Sequence, residues 1–310
     1  MYLKELIELS NSHIKVIISP RVGGSIYAMQ YKLGDKWVDI MRPTPKEALQ
    51  AGNPSPFSSF NLIPYSNRIE KAVLRYSGKE YRLKVNNDDG HAIHGEMRTR
   101  PLDIKAEGDN QIILSLDSRD FSDIIWPFPF YSEIKYAISE NSFTMDLMLE
   151  NVGDEIMPCG MGIHPYFMRK LNDKDDKVIL KMQNIGVYPG ETCIPTGHWI
   201  DVPEYMDFRQ GQELSSDFLD RCFRIEHDDI TIEWPKNGIT LKMVFDEIFK
   251  HCIVYCPPDK PGYFAVEPVT NANNAFNMDE EGIEDTGSIY LSPGEKVNGR
   301  IVMDISSSFR

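Results

Sequence analysis

The chain of 310 residues contains no apolar run that approaches the roughly 18 residues needed for a membrane-spanning helix. Its opening stretch, Met1-Tyr2-Leu3-Lys4-Glu5, carries an acid early and lacks the apolar core of a secretion signal, so a cytoplasmic location without membrane association is expected. Basic charge is also scarce. There are 33 Lys and Arg against 47 Asp and Glu, a formal net charge of −14. A nucleic-acid binder needs a basic face to neutralise phosphates, and a polybasic membrane-surface protein needs a similar excess, so neither partner is expected. The five cysteines (Cys159, Cys193, Cys222, Cys252 and Cys256) are odd in number and scattered, which suits reduced thiols rather than a disulfide framework. Motifs with a fixed chemistry are missing too. No G-x-S-x-G elbow is present, and Gly23-Gly24-Ser25 lacks the lysine and spacing of a phosphate loop. Cys252 and Cys256 have no second Cys or His pair at zinc spacing.

Helical patterning is sparse as well. One short segment, Thr44-Pro45-Lys46-Glu47-Ala48-Leu49-Gln50-Ala51-Gly52, has a capping Thr44, Pro45 for the first helical position, Glu47 to complete a capping box and Gly52 to end it. The dominant period is two. Ile134, Tyr136 and Ile138 alternate with Lys135 and Ala137; Ile230, Ile232 and Trp234 alternate with Thr231 and Glu233; Ile239, Leu241, Met243 and Phe245 alternate with Thr240, Lys242 and Val244. Alternation of this kind marks strands with one buried face. Turn dipeptides separate the runs: Gly34-Asp35, Gly78-Lys79, Asp89-Gly90, Asn237-Gly238 and Asn298-Gly299. Many strands, many turns and little helix predict an all-β fold, a large antiparallel sandwich or barrel. No linker-like or low-complexity tract divides the chain, so residues 1–310 are expected to form a single domain.

Five polar clusters interrupt the strand pattern. Asn67-Arg68 follows Pro64-Tyr65-Ser66 and reads either as a turn with a solvated arginine or as a hydroxyl-binding pair. Asp89-Gly90-His91-Ala92-Ile93-His94-Gly95 holds two histidines three apart. It lacks the glutamate of a helical zinc motif, and Gly95 suggests a close backbone approach, to a ligand or to the chain itself. In Gly160-Met161-Gly162-Ile163-His164-Pro165-Tyr166-Phe167, His164 lies in an apolar and aromatic setting that suits either a core histidine or an acid–base group. Glu267 ends an apolar run just before Pro268, and a carboxylate there is costly unless it is paired or used. Asp220 lies between Leu219 and Arg221, either as a functional carboxylate or as a surface partner of its neighbour.

Taken in order, Asn67-Arg68, Asn86-Asn87, His94-Gly95, Trp126-Pro127-Phe128-Pro129, His164-Pro165-Tyr166-Phe167, Leu219-Asp220 and Glu267-Pro268 resemble the aldose 1-epimerase (mutarotase) family over most of the chain. The resemblance implies the large antiparallel β-sandwich of galactose mutarotase and the interconversion of α and β anomers of a free monosaccharide. It implies His164 as general acid and Glu267 as general base, with Arg68, His94, Asp220 and Asn67 binding substrate. The two catalytic groups are then expected on opposite sides of a bound pyranose. Phe57, Phe60, Trp126 and Tyr166 are candidates for packing against the C–H face of the sugar. The chemistry is proton transfer alone, so no metal and no cofactor is expected. Met168-Arg169 stands where relatives continue with Asn-Leu, and Val269 where many carry Gln, departures that point away from galactose or glucose as the sugar. A hexose-6-phosphate 1-epimerase, with Arg98 and Arg100 holding the phosphate, and a non-catalytic carbohydrate-binding protein are the alternatives on this fold. The protein is expected to be a monomer or homodimer.

Overall fold

The computed structural model describes residues 4–172, 176–190, 193–226, 228–259 and 262–308. Among these, strands dominate, and the α-helices are two short ones, Lys46–Ala51 and Ala275–Glu280. No helix among the described residues is long and apolar enough to cross a membrane.

The alternating segments form the centre of a nine-stranded antiparallel sheet. Its spatial order is Asp103–Gly108, Gln111–Asp117, Phe130–Ser139, Ser142–Asn151, Lys296–Ser307, Ile239–Phe245, Ile230–Trp234, Ile179–Lys181 and Gln212–Glu213. The predicted period-two faces are the observed ones: Ile134, Tyr136 and Ile138 are buried, as are Ile230, Ile232 and Trp234. A second, seven-stranded sheet runs Asn184–Val187, Leu219–Ile225, His251–Cys256, Tyr263–Val269, Gly162–Ile163 and Asn61–Leu62, with Tyr166–Met168 also paired to Tyr263–Val269. The two sheets share one apolar core that includes Phe143, Trp234, Phe167, Phe223 and Phe264, and this is the β-sandwich expected of the sequence. Polar ties cross it. Trp234 Nε1 donates to the carbonyl of Met168 at 2.9 Å, and Asn61 Nδ2 donates to the hydroxyl of Tyr136 at 2.8 Å. A four-stranded sheet (Ile7–Ser10, Ile14–Ser19, Ser25–Leu33, Lys36–Asp39) completes the main architecture.

Turn chemistry is as expected at Gly34, Gly78, Gly90 and Gly238, all of which have positive φ. Asn298-Gly299 is a correction: it lies inside the strand Lys296–Ser307, paired with Met148 and Leu147. Its glycine answers packing, because a Cβ there would stand 2.7 Å from the ring of Phe249. The helix at 46–51 also differs in detail. Pro45 is the cap residue and no side chain caps the end, because the Thr44 hydroxyl instead accepts the Ser58 N–H at 3.1 Å. Gly52 ends the helix in the left-handed conformation, as expected.

Candidate active site

Antiparallel pairing closes the gap of about a hundred residues between His164 and Glu267. The strand Tyr166–Met168, which begins two residues after His164, pairs with Tyr263–Val269 in the register Tyr166 to Ala265 and Phe167 to Phe264. The strand His251–Cys256 also pairs with Tyr263–Val269, and it sets Ile253 opposite Glu267. The segment carrying His164 is anchored by the chain before it, since His164 N–H donates to Phe60 O and Tyr166 N–H to Ser58 O, both at 2.9 Å. The result is a direct contact, with His164 Nε2 3.1 Å from Glu267 Oε1. This corrects the expectation that a sugar ring would separate the two groups. They stand side by side on one wall of one cavity.

That cavity has a volume of about 250 Å³. Asn67, Arg68, His94, His164, Asp220 and Glu267 all line it, so every acid–base and hydroxyl-binding candidate named from the sequence reaches one pocket. Arg68 Nε donates to Asp89 Oδ2 at 2.7 Å, and its guanidinium lies 4.0 Å from Asp220 Oδ2. Asp220 therefore faces Arg68 rather than its neighbour, for among the described residues Arg221 donates to the Asp220 backbone carbonyl and not to its carboxylate. The Cys193 thiol donates to Asp220 Oδ2 at 2.9 Å. Asn67 and His94 both adopt the left-handed backbone conformation, with φ of 59° and 65°, and His94 N–H donates to Asn67 O. Such conformations cost free energy in non-glycine residues and collect at functional sites. Gly95 resolves the question of close approach: a Cβ there would stand 2.2 Å from the carbonyl oxygen of Ile63, so the neighbour is the protein's own backbone. His91 points elsewhere, its Nδ1 accepting the Lys71 N–H.

Of the aromatic candidates, Phe60 and Tyr166 line the cavity. Their rings lie 4.7 Å and 4.5 Å from the His164 ring. Phe57 and Trp126 do not line it. Phe57 packs with Val22, Ala48 and Leu49, and Trp126 with Tyr65. Arg42 and Tyr255 were missed from the sequence. The Arg42 guanidinium lies 3.4 Å above the Tyr166 ring and its Nε donates to Phe57 O. Tyr255 enters the cavity wall because it pairs with Asp220 across the sheet. Neither carries a local sequence signal, since each is an ordinary strand or loop residue until the sheet is assembled.

Burial governs the electrostatics. It holds the Glu267 carboxyl well above the usual carboxylate range, with Asp220 adding to the rise and Arg68 opposing it. It holds the His164 imidazole well below its usual value, and the positive charges of Arg42 and Arg98 push the same way. Both shifts act in the direction of neutral partners, because burial opposes a charge on either group. Residues of the cavity wall also carry unmet polar atoms: among the described residues, Glu267 Oε2, His164 Nδ1, His94 Nδ1, Asn67 Nδ2 and Arg98 Nε are buried without a hydrogen-bond partner. Unmet buried donors and acceptors are costly in a finished core and are the expected lining of a site for a polar ligand.

A stability consequence follows from Glu267. Its folded pKa lies above the ordinary value of 4.5, so the folded chain binds more protons there than the unfolded chain. Stability from this group is complete below pH 4.5 and is lost as pH rises toward the folded pKa, at up to about 1.4 kcal/mol per pH unit. Glu267→Gln keeps a donor toward His164 and removes this loss. The melting temperature of the variant relative to wild type should therefore climb as pH rises from 4.5 to neutrality. Thermal melts of both proteins across that range check this, and a difference that does not change with pH would contradict the burial argument.

Fold and pocket together define a mutarotase-type β-sandwich with a buried contact between a carboxyl and an imidazole. The chain belongs to the aldose 1-epimerase family, whose pattern residues 5–304 match. Among related sequences, the uncharacterized Escherichia coli proteins YihR and YphB are 27% identical over 223 residues (70% of each chain) and 23% identical over 308 residues (96% of this chain, 97% of YphB). Among solved structures, a galactose mutarotase-like protein from Clostridium acetobutylicum superposes with a TM-score of 0.83 at 19% identity, covering 97% of this chain and 95% of the other. A galactose 1-epimerase from Lactobacillus acidophilus gives 0.74 at 15% identity, covering 97% and 94%. At these identities the structural likeness concerns the fold.

Proposed function

We propose that the protein interconverts the α and β anomers of a free monosaccharide, with Glu267 as general base and His164 as general acid. The observation that supports this most directly is the 3.1 Å contact between the two groups in the wall of a cavity they share with Asn67, Arg68, His94 and Asp220. The hydroxyl oxygen and the ring oxygen of a pyranose are both bonded to the anomeric carbon and lie close together. Two neighbouring side chains on one wall can therefore serve both, with no need for groups on opposite faces.

The steps balance within the pair. In this reading the pair carries one proton, which lies on His164 when the reaction begins; a shift of that proton along the contact with Glu267 changes no net charge. Glu267 then takes the proton of the anomeric hydroxyl while His164 gives its proton to the ring oxygen. The bond between the anomeric carbon and the ring oxygen breaks, leaving an aldehyde and a free hydroxyl. Rotation about the adjacent carbon–carbon bond and reversal of the transfers close the ring on the other face. Arg68 and Asp220 offer two-point contacts to sugar hydroxyls, His94 and Asn67 offer further donors, and Phe60 and Tyr166 offer apolar faces for the C–H side. The name of the Lactobacillus acidophilus structure, a galactose 1-epimerase, agrees with this class of reaction.

Exchange between anomer signals in magnetisation-transfer NMR tests the reading across a panel of aldoses. Acceleration by catalytic amounts of protein supports it. Binding of a sugar without any change in exchange would replace it with the carbohydrate-binding alternative.

A further inference from the structure

Arg42 is a buried cation that stands behind the acid–base pair and does not line the cavity. Among the described residues its side-chain hydrogen bonds all go to neutral carbonyls. Nε and Nη2 donate to Phe57 O at 3.0 Å and 2.9 Å, and Nη2 donates to Ser55 O as well. A guanidinium buried on carbonyls is costly, since a full charge leaves water without an opposite charge to answer it. The backbone fixes its place. Arg42 N–H donates to Tyr166 O and Met168 N–H to Ile40 O, both at 2.9 Å, and Met41 bridges to Phe167. Residues 40–42 thus lie along the strand Tyr166–Met168, which Tyr263–Val269 also pairs.

The rings give a second observation. The Arg42 guanidinium carbon lies 3.4 Å from the centre of the Tyr166 ring and 4.7 Å from that of Tyr263. The His164 ring lies 4.5 Å from the same Tyr166 ring, at 26° to it. Two planar groups at those distances cannot share one face, so Tyr166 is held between the guanidinium and the imidazole. A flat, weakly hydrated cation is well suited to an aromatic face. The clamped ring carries a hydroxyl 3.4 Å from His164 Nε2, the nitrogen that meets Glu267. Other groups also face His164. Glu267 comes from Tyr263–Val269, His94 has its ring 5.3 Å away, Arg68 and Arg98 are further positive charges, and Asp220 and Tyr255 stand elsewhere in the cavity wall. After burial itself, the Arg42 charge weighs most against a proton on the imidazole.

We infer that Arg42 is a positioning residue for the acid–base pair: it holds the His164 ring through Tyr166 and sets a fixed positive charge behind the pair. This rests on the anomer-exchange reading above and adds to it a residue outside the cavity. The clamp and the charge have separable consequences. A loosened ring misdirects Nε2 and slows the proton transfers. A lost charge lets the pair take up a second proton at higher pH.

The test uses Arg42→Gln, which keeps a donor for Phe57 O and loses the charge, and Arg42→Lys, which keeps the charge and loses the flat face. In Arg42→Gln the acid limb of kcat/KM should move up by roughly one pH unit. The His164 ring, followed by nitrogen NMR without sugar, should take its proton at correspondingly higher pH. At the optimum, kcat should fall roughly 10-fold with KM unchanged, because Arg42 does not line the cavity. In Arg42→Lys the limb should stay at its wild-type position while kcat falls, since an ammonium does not stack on Tyr166. An arginine with a merely structural role would lower the melting temperature in both variants and leave the limb in place. A wild-type limb and titration in Arg42→Gln, a limb that rises in Arg42→Lys, or a change confined to KM overturns the inference. If Arg42→Gln does not fold, the limb of Arg42→Lys decides: in place it supports the inference, and raised it overturns it. If wild type accelerates no sugar, the epimerase reading falls by itself, and the sugar-free titrations still decide on Arg42. A His164 curve moved up in Arg42→Gln and unmoved in Arg42→Lys retains its role, and coincident curves remove it.

Discussion

Glu267→Gln and His164→Asn should each lower kcat/KM for anomer exchange by about 10²- to 10⁴-fold, the range for loss of one positioned proton-transfer group. Both replacements keep the approximate shape and some hydrogen-bonding capacity, so melts and circular dichroism should show a folded protein. The two side chains act as a unit across a 3.1 Å contact, so the double variant should be little worse than the poorer single one. A variant of either residue that keeps full activity on the true substrate overturns the assignment. The pH profile gives a second readout. The working pair carries one proton, and activity falls when the pair takes a second or loses the first. A second proton goes to His164, whose pKa burial pushes well below 6.5, so the acid limb of kcat/KM should lie below that value. The first proton leaves only above the raised pKa of Glu267, so activity should persist well above the ordinary carboxylate value of 4.5. Because the groups are coupled, the two limbs belong to the pair. An acid limb centred at 6.5 or higher would show that His164 is not desolvated in the working enzyme.

Gly95→Ala should destabilise the fold by about 2–5 kcal/mol and disable the site at the same time. About 1–2 kcal/mol comes from forcing a side chain into the left-handed conformation, where Gly95 has a φ of 66°. Roughly 1–3 kcal/mol more comes from overpacking, since the new methyl would fall 2.2 Å from Ile63 O. The relief available is a backbone shift, and the residue that shifts with it is His94, itself held at positive φ in the cavity wall. Denaturant melts and anomer-exchange rates on the same samples check both halves. Wild-type stability in this variant would mean that the loop has room that the contacts deny. Gly90→Ala is the comparison: its φ of 83° is similarly strained, but nothing stands within 4 Å of its Cβ position, so its cost should be confined to the conformational part.

The strands were legible because burial on one face leaves a mark every second residue. Ile134, Tyr136 and Ile138 could be assigned to a buried face from spacing alone, and they occupy it. The turn at 237–238 was legible for a similar reason, since Gly238 needs its positive φ locally. Asn298-Gly299 misled because the same dipeptide can answer a different demand. Its glycine makes room for the Phe249 ring, a neighbour about fifty positions away in the chain. Thr44 misled likewise, since Ser58 competes for the hydroxyl that would have capped the helix.

Residue chemistry and order along the chain were enough to name Asn67, Arg68, His94, His164, Asp220 and Glu267, because polar groups set in apolar runs stand out wherever they occur. They were not enough to place them. That His164 and Glu267 touch, that burial raises the pKa of Glu267, that Phe60 and Tyr166 rather than Phe57 and Trp126 face the cavity, and that Arg98 Nε finds no acceptor among the described residues are all results of how the sheets pair and what they bury. A proton's position depends on distance and surrounding dielectric, and these are properties of the assembled sandwich, set by contacts between segments far apart in the chain.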